Sequence, residues 1–366
     1  MFVPELQTLP LNIFFKHGRM GALNRVLGRD IITFRYGRDA IYWGLRQLNV
    51  KKGENVLMPA SLCDVIIQPF LSLQINIKYY GLNSSLHYNV EEITDKIDDK
   101  TRAVYVIHYF GFPQVDIEKV VELCNKRGLF LIEDCAHSFL GQYKGKPLGD
   151  YGHISIFSIR KFLPLPDGGY LKMNNFVPSI PVRRSRNPLY PAFTTAKLLV
   201  KDFALKGIIP IQLMRAVSIS REDKSVYATS SFDYDMSDLS KFIFKRVKLN
   251  EMIAKRRENY QHWLKNIHYL QTFAVLFSEL YDGIVPYSFP VIVENRDTLL
   301  QKLKAKGVLL EPTLNPPFYA LPNLLNGNEQ FADVEFLAER FLSLPVYQSI
   351  NTKIIDKLID IIHKIL

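Results

Sequence analysis

Leu131-Ile132-Glu133-Asp134-Cys135-Ala136-His137-Ser138 is the stretch on which the fold turns. An apolar run beginning at residue 129 reads as a buried strand, and it ends in carboxylates. A carboxylate there is costly to bury unless it meets a cation or hydrogen-bond donors. Upstream, residues 55–59, 75–79 and 103–107 have the same strand character. Helical patterns at 61–71, 90–97 and 115–128 separate and follow them. That alternation predicts an α/β fold, a mostly parallel sheet covered by helices on both faces. Ligands of such sheets bind beyond the carboxyl ends of the strands, where His108 and Asp134 fall. Downstream, residues 154–157 again read as a strand. Ser158-Ile159-Arg160-Lys161 and a turn at Asp167-Gly168-Gly169 follow.

The chain has 366 residues, 48% of them hydrophobic, enough for a large core and for two domains. No run of about 18 apolar residues is free of charge, so no membrane span is expected. Met1-Phe2-Val3-Pro4-Glu5 lacks a basic region followed by an apolar core, so no secretory signal is expected either. Cys63, Cys124 and Cys135 form neither a metal spacing nor an even-numbered disulfide set, which suits reduced thiols and a cytoplasmic setting. The formal net charge is +10, but the basic residues are dispersed and no nucleic-acid motif accompanies them. They read as a solvated face that weakly steers anionic substrates, and no nucleic-acid partner is expected.

Several residues stand out chemically. The apolar spacing after Gly37 predicts a helix whose first turn is residues 37–40, and a glycine there lets free N–H groups approach a phosphate. Lys161 lies between a strand and a proline- and glycine-rich turn. Apolar walls there would lower its pKa and free the amine. A carboxylate ending a strand, followed by one lysine beside a serine, fits pyridoxal phosphate: the acid keeps the ring nitrogen protonated, and the amine forms a Schiff base with the aldehyde. Asp134 also reads as a helix N-cap, and His108, like most lone histidines, also reads as structural. His137 would lie near Asp134 if the chain turns helical there.

These phrases resemble the DegT/StrS family of pyridoxal-phosphate aminotransferases, which amino-functionalise sugar nucleotides. The match rests on Leu131 to His137, Tyr143-Lys144-Gly145-Lys146-Pro147-Leu148-Gly149, Phe157-Ser158, Asp167-Gly168-Gly169 and His108-Tyr109-Phe110-Gly111. The resemblance implies fold type I, with a large cofactor domain (1–235, including an arm at 1–30) and a small α+β domain (236–366). It implies Lys161 as the Schiff-base lysine, Asp134 as the ring-nitrogen partner, and His137 near the ring oxygen or that carboxylate. Gly37, Arg38 and Asp39 inherit the phosphate turn, and Arg38 reads either as a phosphate contact or as a solvent-facing residue. Cys63 stands where relatives stack an aromatic on the ring, and reads equally as a buried structural thiol. The loop from Ser158 to Lys161 is two residues shorter than in most relatives, so either Ser158 or Ser155 reaches the phosphate. The implied reaction moves an amino group from an amino acid, glutamate by expectation, to a keto sugar nucleotide in polysaccharide or secondary-metabolite biosynthesis. The implied assembly is a homodimer. The rivals are a related dehydratase, which carries histidine in place of the lysine, and a non-catalytic cofactor-binding regulator or scaffold.

From residue 176 to 235 the resemblance lapses. Relatives use this region for a loop whose Asn and Arg reach a neighbouring subunit's site. Here Ala196, Leu199, Val200, Phe203 and Ala204 fall on one helical face, beside Lys197, Lys201 and Lys206. This face is expected to pack on the body or on a partner subunit, with contact to a membrane surface as the alternative. Beyond it, Ser237 is expected to cap a long helix reaching residue 264. A strand at 285–293 and helices at 297–306, 332–341 and 352–366 follow.

Overall fold

The computed structural model describes residues 2–3, 7–17, 31–174, 180, 183, 189–210, 231–310 and 331–366. Much of the expected N-terminal arm, and residues 176–179, 181–182, 184–188 and 211–230 of the divergent segment, lie outside the described residues.

Seven strands form the central sheet: β1 (Ile31–Phe34), β2 (Asn55–Pro59), β3 (Asn76–Tyr80), β4 (Thr101–Ile107), β5 (Phe130–Asp134), β6 (Ile154–Ser158) and β7 (Gly169–Met173). Their order is β1-β7-β6-β5-β4-β2-β3, and only β7 runs against the rest. Buried apolar residues on both faces of β2, β4, β5 and β6 explain why these strands read as near-continuous hydrophobic runs. Helices α1 (Gly37–Gln47), α2 (Ile67–Leu73), α3 (Val90–Asp95) and α4 (Ile117–Arg127) cover them. The parallel strands end on one edge, so the residues after Pro59, Ile107, Asp134 and Ser158 converge there.

α1 begins where the sequence places it. Asp39 accepts the Tyr36 N–H at 3.1 Å and closes the first turn. Gly169 passes directly beneath that turn: a Cβ on it would stand 2.1 Å from the Tyr36 carbonyl carbon. Strands β1 and β7 were not foreseen. They are short, and β7 pairs antiparallel with β6 and β1, a long-range choice that no local periodicity reports.

A second, antiparallel sheet contains β8 (Phe273–Val275), β9 (Phe289–Val293) and β10 (Phe341–Leu344). It packs with α7 (Leu249–Asn266), α8 (Arg296–Ala305), α9 (Ala332–Arg340) and α10 (Thr352–His363). In chain order α5 (Leu189–Leu205) and α6 (Asp238–Phe244) precede α7. Ser237 does cap α6, accepting the Ser240 N–H at 3.2 Å. The single long helix expected from there is instead two. The chain turns between Phe244 and Leu249, which lets Val247 and Leu249 both pack on the core. The expected strand at 285–293 begins only at Phe289, because Val285, Pro286 and Tyr287 wrap across Gly111 instead. The expected helix at 61–71 starts as a 3₁₀ turn at Asp64–Ile66, leaving Cys63 in a loop at the carboxyl edge of the sheet.

α5 packs on the body by a face that only partly matches the one expected, with Ala204 buried and Leu199 packed against the core. Pro191, Thr195, Asp202 and Ala204 are buried, whereas Ala196 is exposed and Leu199, Val200 and Phe203 are half-buried. Asp202 turns inward because the Thr8 hydroxyl donates to it at 2.7 Å. Among the described residues no helix is long and apolar enough to cross a membrane.

Candidate active site

At the carboxyl edge of the sheet lies a pocket lined by Cys63, Tyr109, Phe110, Asp134, His137 and Lys161, among others. Asp134 ends β5 at the pocket floor and is 2% exposed. Its two oxygens accept the Tyr105 hydroxyl at 2.6 Å and the Ala136 N–H at 2.8 Å. Burial pushes its carboxyl above the usual range, and those two donors with Lys161 oppose the shift in part. No helix follows Asp134, so the expected helix cap is instead a tight turn closed by the Ala136 bond. It coexists with the pocket-facing position.

Lys161 follows β6 on a 3₁₀ turn, Ile159–Lys161, and its Nζ lies 2.9 Å from His137 Nε2. Burial lowers its pKa, Arg160 adds to the lowering, and Cys63 and Asp134 oppose it. His137 is held well below its ordinary value by burial and then by the Lys161 charge, so its ring is neutral and Nε2 accepts from the amine. The ring is clamped between Tyr287 (centroids 4.6 Å apart, planes 2° apart) and Phe110 (5.5 Å, 25°).

The structure separates the remaining candidates. Gly37 and Ser158 face one another: a Cβ on Gly37 would lie 3.5 Å from that of Ser158. Ser155 points to the opposite side of β6, where its hydroxyl donates to Gly149 O at 2.8 Å and sits 3.4 Å from Glu133. The period of two along a strand sends positions three apart to opposite faces, which separates the two serines. His108 is likewise outside the pocket. It is fully buried against Glu133 at 3.0 Å, and its Nδ1 accepts the Gln114 N–H at 3.0 Å. Asp39 is spent on capping α1, and burial raises its carboxyl to about 7 despite Arg38 at 3.8 Å. Arg38 is 7% exposed rather than pointing to solvent.

Sequence reading missed three contributors. Tyr105 and Tyr287 are ordinary aromatics in sequence and acquire their places only by strand pairing and chain wrapping. Glu133 was quoted as part of a phrase, yet it anchors the β5 terminus. It accepts N–H groups of Gly149 (2.5 Å), Tyr151 (2.9 Å) and Gly152 (2.9 Å) as well as the His108 contact. Burial would raise its pKa, but His108 and the amides outweigh burial and hold it below the ordinary carboxylate value. The nearby Cys135 completes a buried His108–Glu133–Cys135 group, but the Glu133 oxygens are already taken up by backbone donors.

The site and the sheet define a fold type I enzyme architecture. The model of the DegT/DnrJ/EryC1/StrS aminotransferase family matches residues 24–180 and 195–363, and the chain belongs to that family. It is 33% identical over 153 residues to a GDP-perosamine synthase of Escherichia coli O157:H7; the match spans 39% of this chain and 40% of that protein. Its fold is similar to the aminotransferase TlmJ from Streptoalloteichus hindustanus (TM-score 0.70, 19% identity, covering 99% of this chain and 97% of that one). It is also similar to NtdA from Bacillus subtilis with bound cofactor PMP (TM-score 0.66, 19% identity, covering 92% and 73%).

Membership implies pyridoxal phosphate as the cofactor. The donor set fits it. A buried carboxylate with both oxygens oriented faces the same pocket as a desolvated lysine, and among the described residues the buried Nδ1 of His137 has no hydrogen-bond partner.

Proposed function

We propose that the chain is a pyridoxal-phosphate-dependent aminotransferase that moves an amino group from an amino acid, glutamate by preference, to the keto carbon of a nucleotide-linked sugar. The observation that carries this reading is the placement of Asp134 and Lys161 in one pocket, with Tyr105 and His137 holding their polar atoms. When bound, the cofactor supplies an aldehyde that carries the amine and a ring that withdraws electrons.

The chain's own residues do the rest. Asp134 would keep a positive charge at the ring nitrogen, and the Tyr105 hydroxyl holds its carboxylate in place. Lys161 would hold the cofactor through Nζ, and its freed amine would act as the base that moves the proton at the donor carbon. His137 accepts from Nζ and keeps the freed amine aimed into the pocket. Overall, amino acid and ketone become 2-oxo acid and amine. Gly37 and Ser158 seat the phosphate. The homodimer, with active sites at the subunit contact, the cytoplasmic setting and the division near residue 235 belong to this same reading.

Two steps test it. Glutamate added to the protein loaded with pyridoxal phosphate should shift the cofactor absorbance to that of the amine form. A panel of nucleotide-linked ketosugars should then shift it back. A protein that holds the cofactor but never responds to any amino acid would be the regulator or scaffold instead. The dehydratase reading has little support, since Lys161 occupies the pocket where those relatives carry histidine.

A further inference from the structure

Beside the turn that opens α1, basic side chains gather on one aromatic ring. The guanidinium carbons of Arg35, Arg38 and Arg160 lie 5.1, 4.8 and 5.8 Å from the centroid of Tyr36. Arg35 is also held at 4.3 Å over Tyr190, in the first turn of α5, and Tyr190 meets Tyr36 edge-on at 6.4 Å. Like charges are not brought together without compensation. Asp39 pairs with Arg38 at 3.8 Å, and the charge of Arg35 also reaches Asp39 and Asp167. Among the described residues the side chains of Arg35 and Arg160 make no hydrogen bond and no ion pair, so ten N–H donors on two half-buried forks face no acceptor. Next to them Ser158 is 6% exposed, and its hydroxyl makes no hydrogen bond among the described residues; it faces Gly37 at the N-terminus of the 11-residue α1. The first amides of that helix have no intrahelical partner.

We propose that Arg35 and Arg160, spaced by the Tyr36 ring, form a two-arginine clamp for a phosphate monoester, closing over the seat made by Gly37 and Ser158. The proposal rests on the cofactor reading above and deepens it: the clamp takes the cofactor's 5′-phosphate from within a single chain. Planar forks suit a tetrahedral oxyanion, since each can donate two parallel N–H bonds. The helix terminus adds amides of the same polarity. Arg160 precedes Lys161, so the clamp sets the anion close to the amine that meets the aldehyde. Tyr190 gives the divergent segment a part in this: it braces Arg35 from the same chain, where relatives reach across to a neighbouring subunit.

The test uses the full-length protein stripped of cofactor and compares Arg35→Gln and Arg160→Gln with the unaltered chain, with Arg160→Lys as a milder variant. Calorimetry with inorganic phosphate reads the clamp without any aldehyde. The unaltered chain should bind phosphate, and each Gln variant should bind at least about tenfold more weakly. Spectral titration with pyridoxal phosphate and with pyridoxal then separates phosphate from ring. Each Gln variant should lose about tenfold or more for the phosphorylated aldehyde and stay unchanged for pyridoxal, which also shows that the fold is intact. Arg160→Lys should fall between. Equal losses for both aldehydes, or undiminished phosphate binding, overturn the clamp. Unchanged pyridoxal phosphate affinity with a raised half-saturation for glutamate also overturns it, and assigns the arginines to the donor's carboxylate. If the unaltered chain binds phosphate but neither aldehyde, the cofactor reading fails while the anion site stands.

Discussion

Lys161 Nζ and His137 Nε2 stand 2.9 Å apart, and the imidazole is held by two stacked rings from two parts of the chain, Phe110 and Tyr287. The amine therefore has a neutral acceptor whose position it does not control. A lysine on a four-carbon stem loses much rotamer freedom when it is aimed, and here a stacked histidine does the aiming. Replacing Tyr287 with leucine should leave the cofactor bound but slow its capture, because His137 would lose one wall. Stopped-flow absorbance during cofactor uptake measures this, and an unchanged rate would show that the stack is only packing.

Lys161→Ala removes the amine while leaving the apolar walls. The variant should fold, and borohydride followed by mass spectrometry should find no cofactor mass on the chain, against one per chain otherwise. Finding that mass on another lysine would falsify the assignment.

Asp134→Asn keeps the shape and removes the charge. Turnover should drop by at least about a hundredfold with the cofactor retained, from several kcal/mol of lost charge stabilisation. A second readout follows from sign. Asp134 is one of the groups that raise the Lys161 pKa, so its neutralisation should lower that pKa further. The pH at which cofactor uptake reaches half its maximal rate should then move down in the variant. A move upward means that the two groups are not coupled as the pocket indicates.

Glu133→Gln should cost about 3 kcal/mol of stability, because an amide nitrogen must then face backbone donors that a carboxylate accepted. The pH dependence has a defined direction. The folded carboxyl lies below its unfolded value, so its contribution is present above about pH 4.5 and is lost as pH falls through the folded value. Urea midpoints measured between pH 3 and 7 should fall steeply at the acid end for the unaltered chain and much less for the variant.

Arg256 is fully buried on α7, and its guanidinium donates to Gln348 Oε1 (3.1 Å), Pro286 O (3.0 Å), Tyr287 O (3.1 Å), Gln7 Oε1 (3.3 Å) and Phe162 O (3.3 Å). Arg256→Met keeps the volume but strands these acceptors, and should destabilise by about 3 kcal/mol. Since two of the acceptors are the carbonyls of Pro286 and of Tyr287 itself, the variant should also slow cofactor capture as Tyr287→Leu does. Denaturant unfolding and the same stopped-flow trace read the two effects separately.

Local pattern was enough to reveal the alternation of β2 to β6 with α2 to α4, and to mark Asp134 and Lys161. A buried strand and the residue that ends it leave a mark within a window of ten residues. What local pattern did not carry was partnership at a distance. Ser155 and Ser158 look interchangeable in sequence, and only the pleat of β6 sends one to Glu133 and the other to Gly37. Nothing near Arg256 says that its acceptors come from residues 7, 162, 286, 287 and 348. Helices α6 and α7 read as one because no glycine or proline interrupts them, and the break follows from where Val247 and Leu249 must pack.

Gly111 has φ +96°, and a Cβ on it would stand 2.3 Å from the Val285 carbonyl oxygen, while Tyr287 N–H donates to Phe110 O at 2.8 Å alongside. The C-terminal part of the chain thus rests on the cofactor edge of the sheet backbone against backbone, with a single hydrogen atom as the gasket. The thickness of that gasket sets how deep Tyr287 can reach. An alanine at this position would work like a shim, lifting one wall of the pocket while leaving every polar residue in the site unchanged.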